Sequence, residues 1–177
     1  MNIAWILLYT LVTHGLEIVI FFKVDGIGIT FERIFKAFLL KFLLGVIFAT
    51  FQFLAVSEYL SYFIEPLFGI GLSFLLLRGL PKKLLFFYGL FPIVLMDIFY
   101  RSVSYFVFPF LGQGIVDGDG NPLFLLIMLF VCFIVLVFLK WLDYDFTRLR
   151  KEFLDKGFQQ SLTKINWIMG AYFLVME

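Results

Sequence analysis

The sequence predicts an all-α protein, a polytopic bundle of transmembrane helices, from its composition, the length of its apolar blocks and the charge between them. Of the 177 residues, 63% are hydrophobic and 15% are charged, and the mean hydropathy is +1.03. A soluble globular chain has about 45–50% apolar and about 25% charged residues. The chain therefore has too few polar residues to cover a water-soluble fold.

Six apolar blocks, separated by short connectors, define the predicted helices. They comprise residues 3–22, 34–56, 60–77, 84–110, 123–142 and 165–177. A helix of about 20 apolar residues crosses the roughly 30 Å hydrocarbon core, so we expect five full spans within one membrane domain, 1–177. The sixth block has only 13 residues, about 20 Å of helix. We expect it to be the first part of an interrupted sixth helix.

Charge alternates between the connectors. The first, third and fifth connectors are basic, with Lys23, Arg33, Arg78, Lys82, Lys83, Arg148, Arg150, Lys151, Lys156 and Lys164. The second and fourth connectors carry Glu58, Asp117 and Asp119 and no base. Basic residues near span ends favour the cytoplasmic side. The alternation therefore predicts an outside N-terminus and outer second and fourth connectors.

The fifth connector, residues 143–164, is the one long polar segment. Leu142, Phe146, Leu149 and Phe153 recur at steps of four, three and four, which is one face of a helix. We expect an amphipathic helix at the cytoplasmic interface that ends near Gly157. It is either a connector on the membrane surface or a docking surface for a cytoplasmic domain or second subunit.

Five ionisable side chains fall inside the predicted spans, where charge is costly and indicates function by default. His14 and Glu17 lie one turn apart, and Asp97 and Arg101 lie four residues apart, so each pair shares a helix face. Both pairs are open to a structural interpretation, in which they only hold helices together. Glu65 lies near the outer end of its block and is expected to be hydrated.

Two neighbouring features complete the polar pattern of the spans. Pro66 follows Glu65, and a proline within the third helix would free a backbone carbonyl and can kink the helix. Lys36 and Lys41 are expected to extend their side chains to the inner interface.

The sequence gives little support to catalysis. The chain has one histidine, so neither an HExxH motif nor a two-histidine metal centre is possible. It lacks a nucleophile elbow, a P-loop and a dinucleotide-binding glycine motif. The net charge of +1 provides no basic field for nucleic acid. We therefore expect no catalytic residue, metal or cofactor in this chain.

Several long stretches carry a resemblance to a known family. They include MNIAWILLYT, GLEIVIFFKVDG, TFERIFKAFLLKFLL, YLSYFIEPLFGIGLSFLLLRGLPKKLLFFYGLFP, YRSVSYFVFPFLGQGIV and FLKWLDYDFTRLRKEFLDKGFQQSLTKINWIMGAY. With them the chain resembles, over nearly its whole length, the N-terminal membrane sensor domain of streptococcal peptide-pheromone receptor histidine kinases. The resemblance is greatest to the bacteriocin-inducing-peptide type, with competence and accessory-gene-regulator receptor kinases more distant.

The resemblance implies a quorum-sensing role in the cell membrane of a Gram-positive bacterium. Such receptors detect a secreted peptide, act as homodimers and pass phosphate to a cognate response regulator that controls bacteriocin-type genes. Their ATP- and Mg²⁺-dependent kinase domain has no counterpart in these 177 residues. The resemblance thus implies a receptor part without its enzyme part.

On this hypothesis the peptide binds at the outer face and the intramembrane charges relay the signal. The candidate peptide-binding residues are Glu58, Tyr59, Tyr62, Gln113, Asp117 and Asp119. The candidate relay residues are His14, Glu17, Glu65, Asp97 and Arg101. The acidic outer connectors favour a basic ligand.

Two other classes compete with this interpretation. A membrane subunit that binds a small transported molecule has a similar length and helix number, and the same intramembrane charges could line a site at the midplane. A membrane protease of the immunity type is disfavoured by the single histidine and the lack of paired glutamates.

Overall fold

The computed structural model describes residues 3–53, 63–111 and 122–175. Within them it contains seven helices and no β-strand, which confirms the all-α class. The helices are α1 (Ile3–Val24), α2 (Phe31–Phe53), α3 (Ile64–Leu76), α4 (Lys82–Leu111), α5 (Pro122–Trp141), α6 (Phe146–Glu152) and α7 (Lys156–Val175).

The first five helices follow the first five apolar blocks, with ends that differ by four residues or fewer. α2 begins three residues earlier than expected, because the Thr30 hydroxyl accepts a hydrogen bond from the Arg33 backbone N–H at 3.4 Å. A threonine in this position caps the free N–H groups of the first turn. α1 ends in a Schellman motif, in which Ile27 N–H bonds to Phe22 O and Gly26 N–H to Lys23 O, with Gly26 at φ 61°.

The last two helices differ from the prediction. The amphipathic helix exists as α6 but ends at Glu152, and Gly157 is the second residue of α7 rather than the end of α6. α7 has 20 residues, about 30 Å, so the expectation of a 13-residue helix over residues 165–177 was wrong. The blocks were delimited by apolar residues. α7 begins earlier than the sixth block, at Lys156, because it includes Lys164 and the polar residues before it.

The chain divides into two compact units, and α1 and α4 each contribute to both. The first unit comprises residues Met1–Ile20 and Leu95–Tyr144. Its core includes Val131, Val135 and Leu139 of α5, all of which are buried. The Phe99 and Phe138 rings meet edge to face, with centroids 5.2 Å apart.

The second unit comprises residues Phe21–Val94 and Asp145–Glu177. Within it α3 and α4 approach each other closely at two glycines. A Cβ atom on Gly69 would lie 2.1 Å from the Gly89 carbonyl oxygen, and one on Gly89 would lie 2.6 Å from Ile70 Cα. The Ser73 hydroxyl, one turn away, donates to the Leu85 carbonyl oxygen at 2.7 Å. The two glycines, which form no recognisable ligand motif in the sequence, are thus packing residues.

One helical segment is long and apolar enough to cross a membrane among the residues whose side chains are described. It is Lys82–Val107 of α4, whereas the apolar segments Ile64–Leu76 and Leu125–Trp141 are shorter. The core helix of a soluble protein passes the same test. The side chains that face outward therefore carry more information about the environment than length does.

Candidate functional site

The six candidate peptide-binding residues fall outside the described residues. These are Glu58, Tyr59, Tyr62, Gln113, Asp117 and Asp119. In the last two turns of α4, which precede the fourth connector in the sequence, Tyr105 is 78% and Phe106 is 69% exposed. Their rings meet edge to face, with centroids 5.5 Å apart.

All five candidate relay residues lie within described helices, and each contacts another ionisable side chain. His14 Nδ1 lies 3.3 Å from Glu17 Oε2, one turn along α1. Arg101 Nε donates to Asp97 Oδ2 at 2.7 Å, one turn along α4. Both pairs lie in the first unit and are partly exposed. The spacing-based prediction of a shared face is therefore confirmed for both pairs.

The fifth relay candidate forms a pair that the sequence did not predict. Glu65 of α3 bonds to Lys41 of α2, with 3.0 Å between Lys41 Nζ and Glu65 Oε1. The Lys41 side chain is only 8% exposed, and its ammonium group lies 4.9 Å from the centroid of the Phe68 ring. The expectation that Lys41 extends to the interface was wrong, because α3 supplies a carboxylate and an aromatic face beside it.

The proline expected to kink α3 lies in its first turn. Pro66 is the third residue of the helix, where the backbone N–H has no intrahelical acceptor in any case. Pro66 therefore removes no hydrogen bond from α3, and the expected cause of a kink is absent. Pro92 lies inside α4, is buried, and the helix continues through it.

A polar cluster that the sequence did not single out lies in the second unit, where the turn after α1 meets α4 and α6. Asp25, in that turn, is fully buried, and neither of its carboxylate oxygens has a hydrogen-bond donor among the described residues. The positive charge of Arg150 in α6 acts on Asp25, and the buried Nε of Arg150 is likewise without an acceptor among the described residues. We call Asp25, Tyr88, Phe146 and Arg150 the Asp25 cluster.

Aromatic contacts hold the cluster together. The Arg150 guanidinium lies 4.9 Å from the Phe146 ring centroid and 5.9 Å from that of Tyr88. The Tyr88 hydroxyl donates to the Phe146 carbonyl oxygen at 3.0 Å. The Phe146 ring packs on Gly26 so closely that a Cβ there would be 1.8 Å from the ring. The apolar face of α6 is therefore in contact with the α1–α2 connector.

Burial raises the pKa of the Asp25 carboxyl well above its ordinary value, and the positive charge of Arg150 opposes that effect only in part. A carboxylate without hydrogen bonds in an apolar setting is costly to ionise. The cluster therefore favours the neutral acid in the folded protein. The sequence did not predict the Asp25 cluster, because an aspartate before a glycine is typical of an exposed turn. Its burial depends on the packing of α4 and α6, which are distant in the sequence.

No family model, curated protein or solved structure matches this chain. The described residues contain no group of three or more histidine, cysteine, aspartate or glutamate side chains positioned to hold a metal ion.

Proposed function

We propose that this chain is a multi-pass membrane protein with an outside N-terminus, the peptide-sensing part of a two-component quorum-sensing receptor of a Gram-positive bacterium. The observation that carries the membrane location is the apolar character of the outward helix faces. The sensor role is supported by the resemblance to the streptococcal receptor kinases.

Two helices illustrate the outward apolar faces. On α2 the exposed side chains Phe31, Phe35, Leu39, Phe42 and Val46 follow one face at steps of three or four residues. On α5 the same spacing is found, with Leu126, Leu129, Phe130, Phe133, Leu136 and Val137 exposed. A helix on the surface of a soluble protein presents polar residues there instead. Hydrocarbon is the environment that suits these faces.

The ends of the helices agree with this environment. Trp141, at the end of α5 next to Lys140, is 78% exposed. Tryptophan and lysine are both favoured where a span leaves the membrane. The alternation of basic and acidic connectors supports five full spans with Lys140 on the inner side.

Peptide sensing is supported by the acidic outer connectors and by the exposed aromatic pair Tyr105 and Phe106 near the fourth connector. The carboxylates of Glu58, Asp117 and Asp119 would attract the positive charge of a cationic, amphipathic peptide, and Tyr105 and Phe106 would contact its apolar side chains. Its binding would change helix packing, and a homodimer would pass that change to a kinase domain and from there to a response regulator.

Photo-cross-linking tests the proposal directly. p-Benzoylphenylalanine at Tyr59 or Gln113 is expected to capture a peptide from the low-molecular-weight fraction of streptococcal culture medium. The same group at Arg78, on the predicted inner side, serves as the control. A captured peptide that is lost when Asp117 and Asp119 are changed to asparagine supports the proposal. Equal capture at Tyr59 and Arg78, or none at either outer position, contradicts it.

A small-molecule transport subunit is the second candidate. The Lys41–Glu65 pair favours it, because two opposite charges from α2 and α3 meet where Lys41 is largely buried. The gene region after codon 177 separates the two candidates. Kinase-coding sequence in the same reading frame favours the sensor, and a stop codon followed by genes for transport ATPases favours the transporter.

A further inference from the structure

The second unit contains an apolar groove of about 540 Å³ between α3, α4 and α7. Its walls are almost entirely apolar and include Leu67, Ile70, Phe86, Trp167 and Phe173. Ligand pockets commonly have volumes of about 300–1,000 Å³. The groove is thus large enough for part of a lipid.

The two basic residues that line the groove are neighbours at the start of α4, and we call this part of the groove its basic end. Lys82 and Lys83, the first residues of α4, line it together with Asn166 of α7. Both lysines are exposed, and neither forms an ion pair with a described residue. The amide group of Asn166 donates to the Lys83 carbonyl oxygen at 2.8 Å, which fixes α7 beside the start of α4.

The start of α4 adds to the positive charge of the basic end. Its first N–H groups form the positive end of the helix dipole, and the two lysines are the first residues of the same helix. The basic end therefore fits a phosphate group.

The dimensions of the groove match an acyl chain attached to such a headgroup. From Lys83 to Leu90 along α4 the groove runs about 10 Å, and from Thr163 to Phe173 along α7 about 15 Å. We propose that the groove binds an anionic phospholipid, with the phosphate of its headgroup at the basic end and one acyl chain along the apolar walls. The proposal depends on the membrane location but is independent of peptide sensing.

Fluorescence quenching in reconstituted vesicles tests it. Trp167 lines the groove, so Trp5→Phe and Trp141→Phe leave it as the single tryptophan. The probes are phosphatidylglycerol and phosphatidylcholine with brominated acyl chains, which quench on contact. We expect phosphatidylglycerol to quench Trp167 at a concentration several-fold lower than phosphatidylcholine. Free inorganic phosphate should not compete, because it lacks the chain.

Two pairs of variants separate the groove from general lipid contact. Lys82→Gln with Lys83→Gln should remove this several-fold selectivity, because the two ammonium groups attract the anionic headgroup. Lys23→Gln with Lys151→Gln removes the same charge elsewhere and should preserve it. A Cβ on Gly170, which lines the groove, meets nothing within 4 Å, so Gly170→Leu should fill the groove and reduce quenching. Gly45→Leu is the control, since its Cβ is equally unobstructed and it does not line the groove.

Four outcomes overturn the proposal. Equal quenching by both lipids would show that lipid surrounds the helices without selectivity. An equal loss of selectivity in both double lysine variants would show that the protein's positive charge as a whole attracts the anionic lipid. A Trp167 that neither lipid quenches indicates that protein covers the groove, either a second copy or an apolar segment. Failure to reconstitute into vesicles contradicts the membrane location itself, and the lipid proposal falls with it.

Discussion

At the scale of single residues, Asp25 is the position where burial and charge conflict most strongly. It is fully buried, its oxygens have no donor among the described residues, and its pKa is raised by burial. Arg150 is close enough to lower the pKa in part. The neutral acid is the form that the fold tolerates best, so ionisation of this one carboxyl weakens the fold.

Asp25→Asn should increase thermal stability at neutral and alkaline pH. Asp25 binds its proton more tightly in the folded than in the unfolded chain. The protonated acid therefore contributes fully to the stability of the fold below the unfolded-state pKa of about 3.9. That contribution is lost as pH rises toward the raised folded-state pKa. Above the folded-state pKa, we expect the free energy of unfolding of the variant to exceed that of the wild type by about 1 kcal/mol or more. At low pH the two values should be equal. Tryptophan fluorescence during heating in detergent measures the difference.

Asp143→Asn is the matched control. Asp143 is exposed and lies in the turn after α5 with φ 49°, a conformation that asparagine also adopts readily. Asp143→Asn removes the same carboxylate at an exposed position and should not reproduce the gain in stability of Asp25→Asn. A wild-type pH profile in Asp25→Asn, or the same altered profile in both variants, would contradict the role assigned to Asp25.

The Lys41–Glu65 pair leads to a prediction of a different kind. Glu65→Gln leaves the largely buried Lys41 ammonium without its carboxylate, and breaking a buried pair by removing one partner is costly. We expect Glu65→Gln to lower the free energy of unfolding by about 1–3 kcal/mol. This is less than the loss of one partner from a fully buried pair, because Glu65 is 44% exposed. The double variant Lys41→Met with Glu65→Gln should recover part of that loss. Additive losses in a double-mutant cycle would rule out a direct interaction.

At the scale of elements, the contact of α3 with α4 depends on the absence of side chains at two positions. A Cβ on Gly89 would lie 2.8 Å from the Ile70 nitrogen as well as 2.6 Å from its Cα. Both are backbone atoms, which cannot rotate away as a side chain does. The helices must separate to admit even one methyl group.

Gly89→Ala should therefore destabilise by about 1–3 kcal/mol. This corresponds to a fall in Tm of about 2–4 °C per kcal/mol for a chain of this size. Gly45→Ala is the control in α2, where a Cβ meets nothing within 4 Å and alanine is the better helix former. Thermal unfolding in detergent should rank the proteins Gly45→Ala, wild type, Gly89→Ala from most to least stable. A Gly89→Ala variant as stable as the wild type would show that the close approach is absent.

The sequence predicted the first five helices well because apolar block length is a local property. It predicted the start of α7 poorly, because Lys156 and Lys164 were assigned to a connector whereas both belong to a helix. It also missed the Lys41–Glu65 pair and the Asp25 cluster. Both bring together residues far apart in the chain, and periodicity does not encode such contacts. The two pairs it did predict, His14–Glu17 and Asp97–Arg101, are local to one helix.

At the scale of the whole molecule, the account depends on an apolar environment around the helices. α5 is apolar on its buried face, at Val131 and Val135, and on its exposed face, at Phe130 and Phe133. A helix that is apolar all round is either enclosed by protein or surrounded by lipid. In the proposed membrane location, lipid covers the exposed side chains of α5, and the connector charges place its two ends on opposite sides of the membrane.

Labelling of single cysteines with a membrane-impermeant maleimide tests this central claim most directly. The one native cysteine, Cys132, is buried and is changed to alanine. New cysteines replace Ser57 and Gln113 in the predicted outer connectors, and Ile29, Arg78 and Gln160 on the predicted inner side. Ser57→Cys and Gln113→Cys should react in intact cells, and the other three only after permeabilisation. Reaction of the Ile29, Arg78 or Gln160 variants in intact cells, or of none of the five before permeabilisation, would contradict the proposed topology.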